Sequence, residues 1–136
     1  MKIGEKLPNL KLKTHQETFI YTLSLIGESN LLFVVQGKEE GVEKLLLENF
    51  DALVNENIEV YIINQTSPQE NLELQRSKGW PFTFISDTKK ELLRALGAKK
   101  SLLNTKPATI FLLGMDGSLQ KSWKNEEFDI TELLAV

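Results

Sequence analysis

Short stretches that alternate apolar and polar side chains open the chain, and longer apolar stretches follow them. The alternation at 9–14 and again at 18–23 predicts the two strands of an N-terminal hairpin, because successive side chains of a strand point to opposite faces. The run Leu31–Val35 is continuously apolar and Ile58–Ile63 nearly so, which is typical of central strands that are covered on both faces.

Between the two central strands, apolar residues recur at three- and four-residue steps from 39 to 55, which predicts one amphipathic helix. Its apolar stripe consists of Val42, Leu45, Leu46, Phe50, Leu53 and Val54. After the second central strand, the segment 67–70 has the pattern of a helix N-terminus with Ser67 as its cap, and Gly79 is expected to end that helix.

The second half of the chain continues with short elements. We predict a strand at 82–85, a helix with a capping box at 88–91 that ends at Gly97, a strand at 108–113, an Asp-Gly turn at 115–118, a return strand at 119–123, and a last helix from Asp129 to near Ala135. Since a βαβ unit needs parallel pairing and a hairpin antiparallel pairing, the fold class is α/β with a mixed sheet between helices. Residues 1–136 are expected to form one domain.

Charge and composition narrow the classes of function. Sixteen basic and nineteen acidic residues give a formal charge of −3, which argues against a nucleic acid or an anionic membrane as partner. No apolar run is long enough to span a membrane and the N-terminus lacks a signal-peptide pattern, so a cytoplasmic location is expected. The chain has no cysteine and one histidine, which excludes disulfides, a thiol nucleophile and multi-histidine metal sites. We expect no metal and no cofactor.

Several segments, in the same order and at nearly the same spacing, resemble the peroxiredoxin (AhpC/TSA-type) and thioredoxin-like redoxin family. They are the opening segment 4–12, the Gln-Thr-Ser-Pro at 65–68, the Gly-Trp-Pro-Phe at 79–82, the Lys-Pro-Ala-Thr at 106–109 and the Met-Asp-Gly at 115–117. The resemblance covers nearly the whole chain and implies a thioredoxin-like fold.

The family's reactive pattern is missing from this chain. The resemblance implies a Pro-x-x-x-Thr/Ser-x-x-Cys sequence after the first central strand, and counting without gaps puts Gln36, Glu40 and Glu43 at its three key positions. The family's arginine falls on Lys106 or Ala108. A carboxylate cannot be oxidised by peroxide and recovered through a disulfide, so we interpret Glu40 and Glu43 as residues that stabilise a helix N-terminus.

Four further side chains are candidates for a role. His15, in a Thr-His-Gln-Glu turn, is interpreted as exposed polar surface, and Trp80 as a packing residue. Trp123, between lysines on a predicted edge strand, marks either an interface or the cover of the C-terminal helix. Glu39, in the loop before the first long helix, is a second interface position.

Three functional hypotheses remain open. The first is a non-catalytic binding or regulatory module that pairs with a protein partner or with a second copy of itself. The second is an antioxidant or oxidoreductase role of the family type, exerted only with a partner's cysteine. The third is a small-ligand-binding domain, for which the sequence offers no ligand-specific residues.

Overall fold

An antiparallel hairpin opens the fold. The computed structural model describes residues 1–97 and 108–134. Strand β1 (Lys11–Lys13) pairs with β2 (Phe19–Tyr21), and the single helical turn α1 (Thr22–Leu25) follows. The predicted N-terminal hairpin is therefore confirmed.

A five-stranded mixed sheet forms the centre of the fold. Its strands are β3 (Asn30–Val35), β4 (Ile58–Asn64), β5 (Thr83–Ser86), β6 (Thr109–Leu113) and β7 (Leu119–Lys124). The spatial order is β5-β4-β3-β6-β7, with β3, β4 and β5 parallel and with β6 and β7 antiparallel to their neighbours. Both apolar runs of the sequence thus become interior strands, as predicted.

Helices cover both faces of this sheet. They are α2 (Gly41–Glu48), α3 (Phe50–Asn55), α4 (Pro68–Lys78), α5 (Glu91–Leu96) and α6 (Ile130–Leu134). Side chains of β3 alternate between two buried clusters: Leu32 and Val34 pack with α2, α3 and α6, whereas Leu31, Phe33 and Val35 pack with α5 and the hairpin. In the described part of the chain, no helix is both long and apolar enough to cross a membrane.

The single helix predicted for 39–55 is two helices. Asn49 interrupts it with φ −107° and ψ 19°, and its side-chain Nδ2 donates to the Leu45 carbonyl at 2.9 Å. An asparagine side chain that bonds a nearby carbonyl competes with the helical ladder, which explains the break. Val54, a member of the predicted stripe, lies in α3 and is 57% exposed.

Two of the three predicted N-terminal caps are correct. Ser67 Oγ accepts from the Glu70 amide at 3.2 Å, and Asp129 Oδ1 accepts from the Thr131 amide at 2.9 Å. The capping box predicted at 88–91 is wrong, because the carboxylate of Asp87 accepts from the first amides of α5 instead. An anionic carboxylate binds these amides more strongly than a hydroxyl does, which favours the aspartate.

The interpretation of His15 as exposed surface is also wrong. Its side chain is buried, and Nδ1 accepts from the Phe84 amide at 3.1 Å while the His15 amide donates to the Phe84 carbonyl at 3.0 Å. The histidine thus attaches the hairpin to the edge of β5. Burial lowers the pKa of this imidazole, because the charged form would lose its hydration, while the hydrogen bond with the Phe84 backbone acts in the opposite direction.

Candidate functional site

The carboxyl ends of the three parallel strands bring polar side chains together at one edge of the sheet. Gln36 follows β3 directly, Asn64 ends β4 and Ser86 ends β5. Parallel strands present their carboxyl ends on the same side, and α/β proteins commonly place their sites there. The N-terminus of α2 lies above this edge, where the family would place its thiolate.

A closed pair of amides forms the centre of this cluster. Asn64 Nδ2 donates to Asn71 Oδ1 at 2.7 Å, and Asn71 Nδ2 donates back to Asn64 Oδ1 at 2.8 Å. The second proton of Asn71 Nδ2 goes to Ser86 Oγ at 2.8 Å, and the second proton of Asn64 Nδ2 goes to Gln36 Oε1 at 3.0 Å. Every amide proton of the asparagine pair therefore has a partner inside the protein.

Glu43 extends this network into the N-terminal half of α2. Its side chain has no exposed surface, and its Oε2 accepts a long hydrogen bond of 3.4 Å from Gln36 Nε2. Its other oxygen, Oε1, is buried without a hydrogen-bond partner. Burial raises the pKa of Glu43, and the negative charge of Glu40 adds to that, while the Glu43 amide, Gln36 and the more distant Lys78 act in the opposite direction.

Glu40 lies outside this network. Its carboxylate forms an ion pair with Lys78 Nζ at 2.9 Å, and the ammonium group lies 6.0 Å from the centre of the Trp80 ring. Glu40 is the N-cap residue of α2, but its side chain makes no capping hydrogen bond. The ion pair instead ties the start of α2 to the end of α4. Neighbouring Glu39 is exposed.

The structure brings two of the four predicted site positions together. Gln36 and Glu43 are in contact, Glu40 pairs with Lys78, and Lys106 lies outside the described residues. Ala108, the other residue considered for the arginine position, is a buried methyl group just before β6. Glu43 lies in the first turn of α2, where a helix-stabilising residue was predicted, but it is fully buried there.

Trp80 packs as predicted, whereas Trp123 is not an exposed aromatic. The Trp80 ring is buried and stacks on Phe84 with centres 6.1 Å apart. The Trp123 ring is buried against Phe128, edge to face at 5.2 Å. Of the two hypotheses for Trp123, the structure favours the packing one: the ring covers the approach to the last helix and offers no open surface to a partner.

The asparagine pair was missed by sequence reasoning. Asn71 lies three residues before Leu74 and so shares the inward face of α4, where an amide side chain indicates a buried polar contact. Glu43 carries a similar signal, because it lies three residues before buried Leu46. Over residues 1–97 and 108–134, no group of three or more potential ligands is placed to hold a metal ion.

Among the described residues, the site therefore contains a buried carboxyl group, a set of amides and the Ser86 hydroxyl, and the chain offers it no thiol. A carboxyl group in such a place can hold or release a proton, and the amides can fix its orientation. None of these groups can form the sulfenic acid on which thiol peroxidase chemistry depends.

Comparison with known proteins identifies the fold and the family of this chain. Solved structures share its fold: a peroxidoxin, BcpB, from Mycobacterium tuberculosis (TM-score 0.83, 15% identity, 99% of this chain and 95% of that one) and a 2-Cys peroxiredoxin from Plasmodium vivax (0.78, 18%, 98% and 93%). A mutant of PrxQ from Xylella fastidiosa is similar as well (0.76, 21%, 98% and 93%). The comparison with curated proteins yields no match. The model of the AhpC/TSA family matches residues 3–122, so this chain, with its thioredoxin-like peroxiredoxin fold and no cysteine, belongs to the AhpC/TSA family.

Proposed function

We propose that this chain is a non-catalytic member of the AhpC/TSA family that acts by binding another protein. The observation that carries the proposal is the fully buried carboxyl group of Glu43 at the position where counting puts the family's cysteine. A nucleophile must reach its substrate, and this side chain has no exposed surface with which to do so.

Electrostatics support the same conclusion. A thiolate is favoured by nearby cations, and Lys78, whose charge acts on this position, is already bound by Glu40 at 2.9 Å. A protonated or charged carboxyl group at Glu43 would neither attack a peroxide nor favour a partner's thiolate beside it.

A protein partner fits the site better than a small ligand does. The polar groups at the ends of β3, β4 and β5 bind one another and leave little to direct toward a bound molecule. One concavity lies at the opposite end of β3, beside Asn30 and Gly114, and is open to solvent. Ligand sites are usually enclosed and carry convergent polar groups.

The first experiment measures the loss of hydrogen peroxide and of an organic hydroperoxide in the presence of the purified chain, thioredoxin and its reductase. We expect the same rate as in buffer with the reductant alone. The matched control is Glu43→Gln, which keeps the shape of the side chain and removes its titration. A rate that depends on the chain and falls in Glu43→Gln would refute the proposal.

A second experiment tests the binding part. The tagged chain is captured from cells of its own organism, with and without a thiol-blocking reagent, and the captured complex is assayed for peroxide consumption. We expect a stoichiometric partner in both samples and no activity that needs this chain, since a chain without cysteine cannot be held by a mixed disulfide. Peroxide consumption that the complex loses with Glu43→Gln would favour the hypothesis of a partner's cysteine. The absence of any partner would contradict the binding module.

A further inference from the structure

The outer face of the β1–β2 hairpin and the start of α1 carry large apolar side chains that the other described residues leave uncovered. Phe19 is 55% exposed, Tyr21 48% and Leu23 60%. Single exposed apolar residues are ordinary on a protein surface, but a contiguous group of aromatic residues marks an interaction site. We call Lys11, Lys13, Phe19, Tyr21 and Leu23 together the hairpin patch.

The register of the hairpin is fixed, so the aromatic side chains cannot turn inward. Thr22 is fully buried, and its hydroxyl donates to the Pro8 carbonyl at 2.7 Å while accepting from the Leu10 amide at 2.8 Å. Its amide donates to the Leu10 carbonyl at 2.9 Å. A shift by one residue would exchange the two faces and break all three bonds, so Phe19 and Tyr21 are held in solvent by buried polar contacts.

Two lysines belong to the same face. Lys13 lies opposite Phe19 and Lys11 opposite Tyr21 in the register, with their ammonium groups 5.4 Å and 4.3 Å from the centre of the Phe19 ring. In the described ranges, neither lysine is in an ion pair with a carboxylate. The patch therefore combines an apolar centre with two lysines that form no ion pair with a described carboxylate.

We propose that the hairpin patch docks a short acidic and apolar segment of another protein, and this inference rests on the proposed function of a binding module. Its carboxylates would meet Lys11 and Lys13, and its apolar side chains would cover Phe19, Tyr21 and Leu23. The charge of the patch is the argument for this occupant, because opposite charges across an interface steer and orient a partner.

Two other occupants fit less well. A second copy of this chain, docked face to face, would bring the lysines of both hairpins together, since an isologous contact pairs the same surface with itself. A nucleic acid or an anionic membrane presents an extended negative surface. It would therefore be repelled by the net charge of the whole chain, which is −3. A short acidic segment meets only the local field, which falls off over about 8–10 Å in physiological salt.

The test follows backbone amide shifts of the isotope-labelled full chain during titration with a synthetic peptide in which glutamate and leucine alternate. A peptide in which lysine and leucine alternate is the matched control. We expect the acidic peptide to shift amides of β1, β2 and Leu23, with binding that weakens as salt is raised, and the basic peptide to leave them unchanged. Shifts confined to other regions, or equal binding of both peptides, would refute the proposal.

Charge-reversal variants test whether the binding site is local to the hairpin patch. Lys11→Glu with Lys13→Glu should weaken binding of the acidic peptide at least about tenfold and create binding of the basic one. Lys44→Glu with Lys89→Glu makes the same change in net charge at exposed positions elsewhere and should leave both titrations unchanged. Loss of binding in both double variants, or no loss in the hairpin variant, would contradict a local site.

The remaining arms separate this inference from the proposed function. Anionic vesicles or a single-stranded oligonucleotide that shift the patch more strongly than the peptide would replace the protein segment as occupant. If the partner captured from cells is retained by Lys11→Glu with Lys13→Glu but lost with Glu39→Lys and Glu40→Lys, the hairpin inference fails while the binding module stands. If only Lys11→Glu with Lys13→Glu loses the captured partner, the result supports both the binding module and the hairpin patch as its docking site.

Discussion

Replacing Glu43 by glutamine should stabilise this protein at neutral pH. The carboxyl group has no exposed surface, receives one hydrogen bond of 3.4 Å from Gln36, and leaves Oε1 without a partner. A buried polar atom without a hydrogen bond costs about 1–3 kcal/mol, and a buried charge costs more. Glutamine keeps the shape and an acceptor for Gln36, but its amide nitrogen is as unpaired as Oε1 was, so the gain comes from the removed charge alone. We expect a gain of at least about 1 kcal/mol near pH 7.5.

The gain should depend on pH in a defined direction. Burial raises the pKa of Glu43 above its ordinary value of 4.5, so the folded state binds the proton more tightly than the unfolded state does. The stability that this carboxyl group contributes is therefore fully present below about pH 4.5 and is lost as the pH rises through the folded pKa. Each unit of separation between the two pKa values is worth about 1.4 kcal/mol.

Urea denaturation between about pH 4 and pH 8, followed by the fluorescence of the buried Trp80 and Trp123, measures this difference. The difference between Glu43→Gln and the parent chain cancels the titration of every other group. Glu39→Gln, at an exposed position, removes the same charge and should stay within about 0.5 kcal/mol of the parent at each pH. Parallel curves for the parent and Glu43→Gln, or a less stable variant at neutral pH, would show that the buried charge is compensated and would refute the reasoning.

Three further predictions concern the contacts around the site and the hairpin. Asn71→Leu should cost about 2–4 kcal/mol in urea denaturation, because it removes one member of the closed amide pair and leaves its buried partners unpaired; a loss under about 1 kcal/mol would contradict the role of the pair. The parent should lose stability below about pH 6.5, because the imidazole of the unfolded chain binds a proton at a higher pH than the buried imidazole does. His15→Asn should keep an acceptor for the Phe84 amide and remove this loss. Melting temperatures of both proteins at about pH 5 and pH 7.5 test this prediction. Gly117→Ala should cost more than about 1 kcal/mol because φ is +81° and a Cβ would lie 2.6 Å from the nearest side-chain carbon, whereas Gly41→Ala, in open space at the start of α2, should be neutral or stabilising in the same assay.

The strands, helix ends and turns of the fold are predictable because each depends on a local sequence pattern. The interior strands follow from their apolar runs, and Gly79 and Gly97 end their helices in the left-handed conformation, as expected of glycines at that place. The Asp-Gly turn before β7 likewise has Gly117 at positive φ. Each of these features depends on a few neighbouring residues, and the sequence contains them.

Contacts between distant residues account for the errors. His15 is buried because β5, nearly seventy positions later, supplies the Phe84 amide and carbonyl, and no local pattern contains that information. The cap of α5 is the exception, because Asp87 lies only one residue before the predicted cap and binds the Leu92 and Leu93 amides, for which a carboxylate is a stronger acceptor than a hydroxyl. The outward orientation of the hairpin's aromatic residues was likewise unpredictable, because it depends on the hydrogen bonds of the Thr22 hydroxyl with the Leu10 amide and the Pro8 carbonyl.

The burial of Glu43 bears on the function as well as on stability. An enzyme that needs an ionised group keeps cations near it, whereas this carboxyl group is fully buried with an amide at 3.4 Å, and Lys78, whose charge acts on it, is bound to Glu40. A charge on the Glu43 carboxyl group would oppose folding, so burial favours the neutral form of this group and a site that is closed to solvent. A closed site directs the search for activity to the surface, where the hairpin patch presents exposed aromatic residues and lysines that the described part of the chain does not pair. Glu43→Gln and Lys11→Glu with Lys13→Glu should therefore act independently: the first changes stability without affecting peptide binding, and the second changes binding without affecting the pH profile of stability.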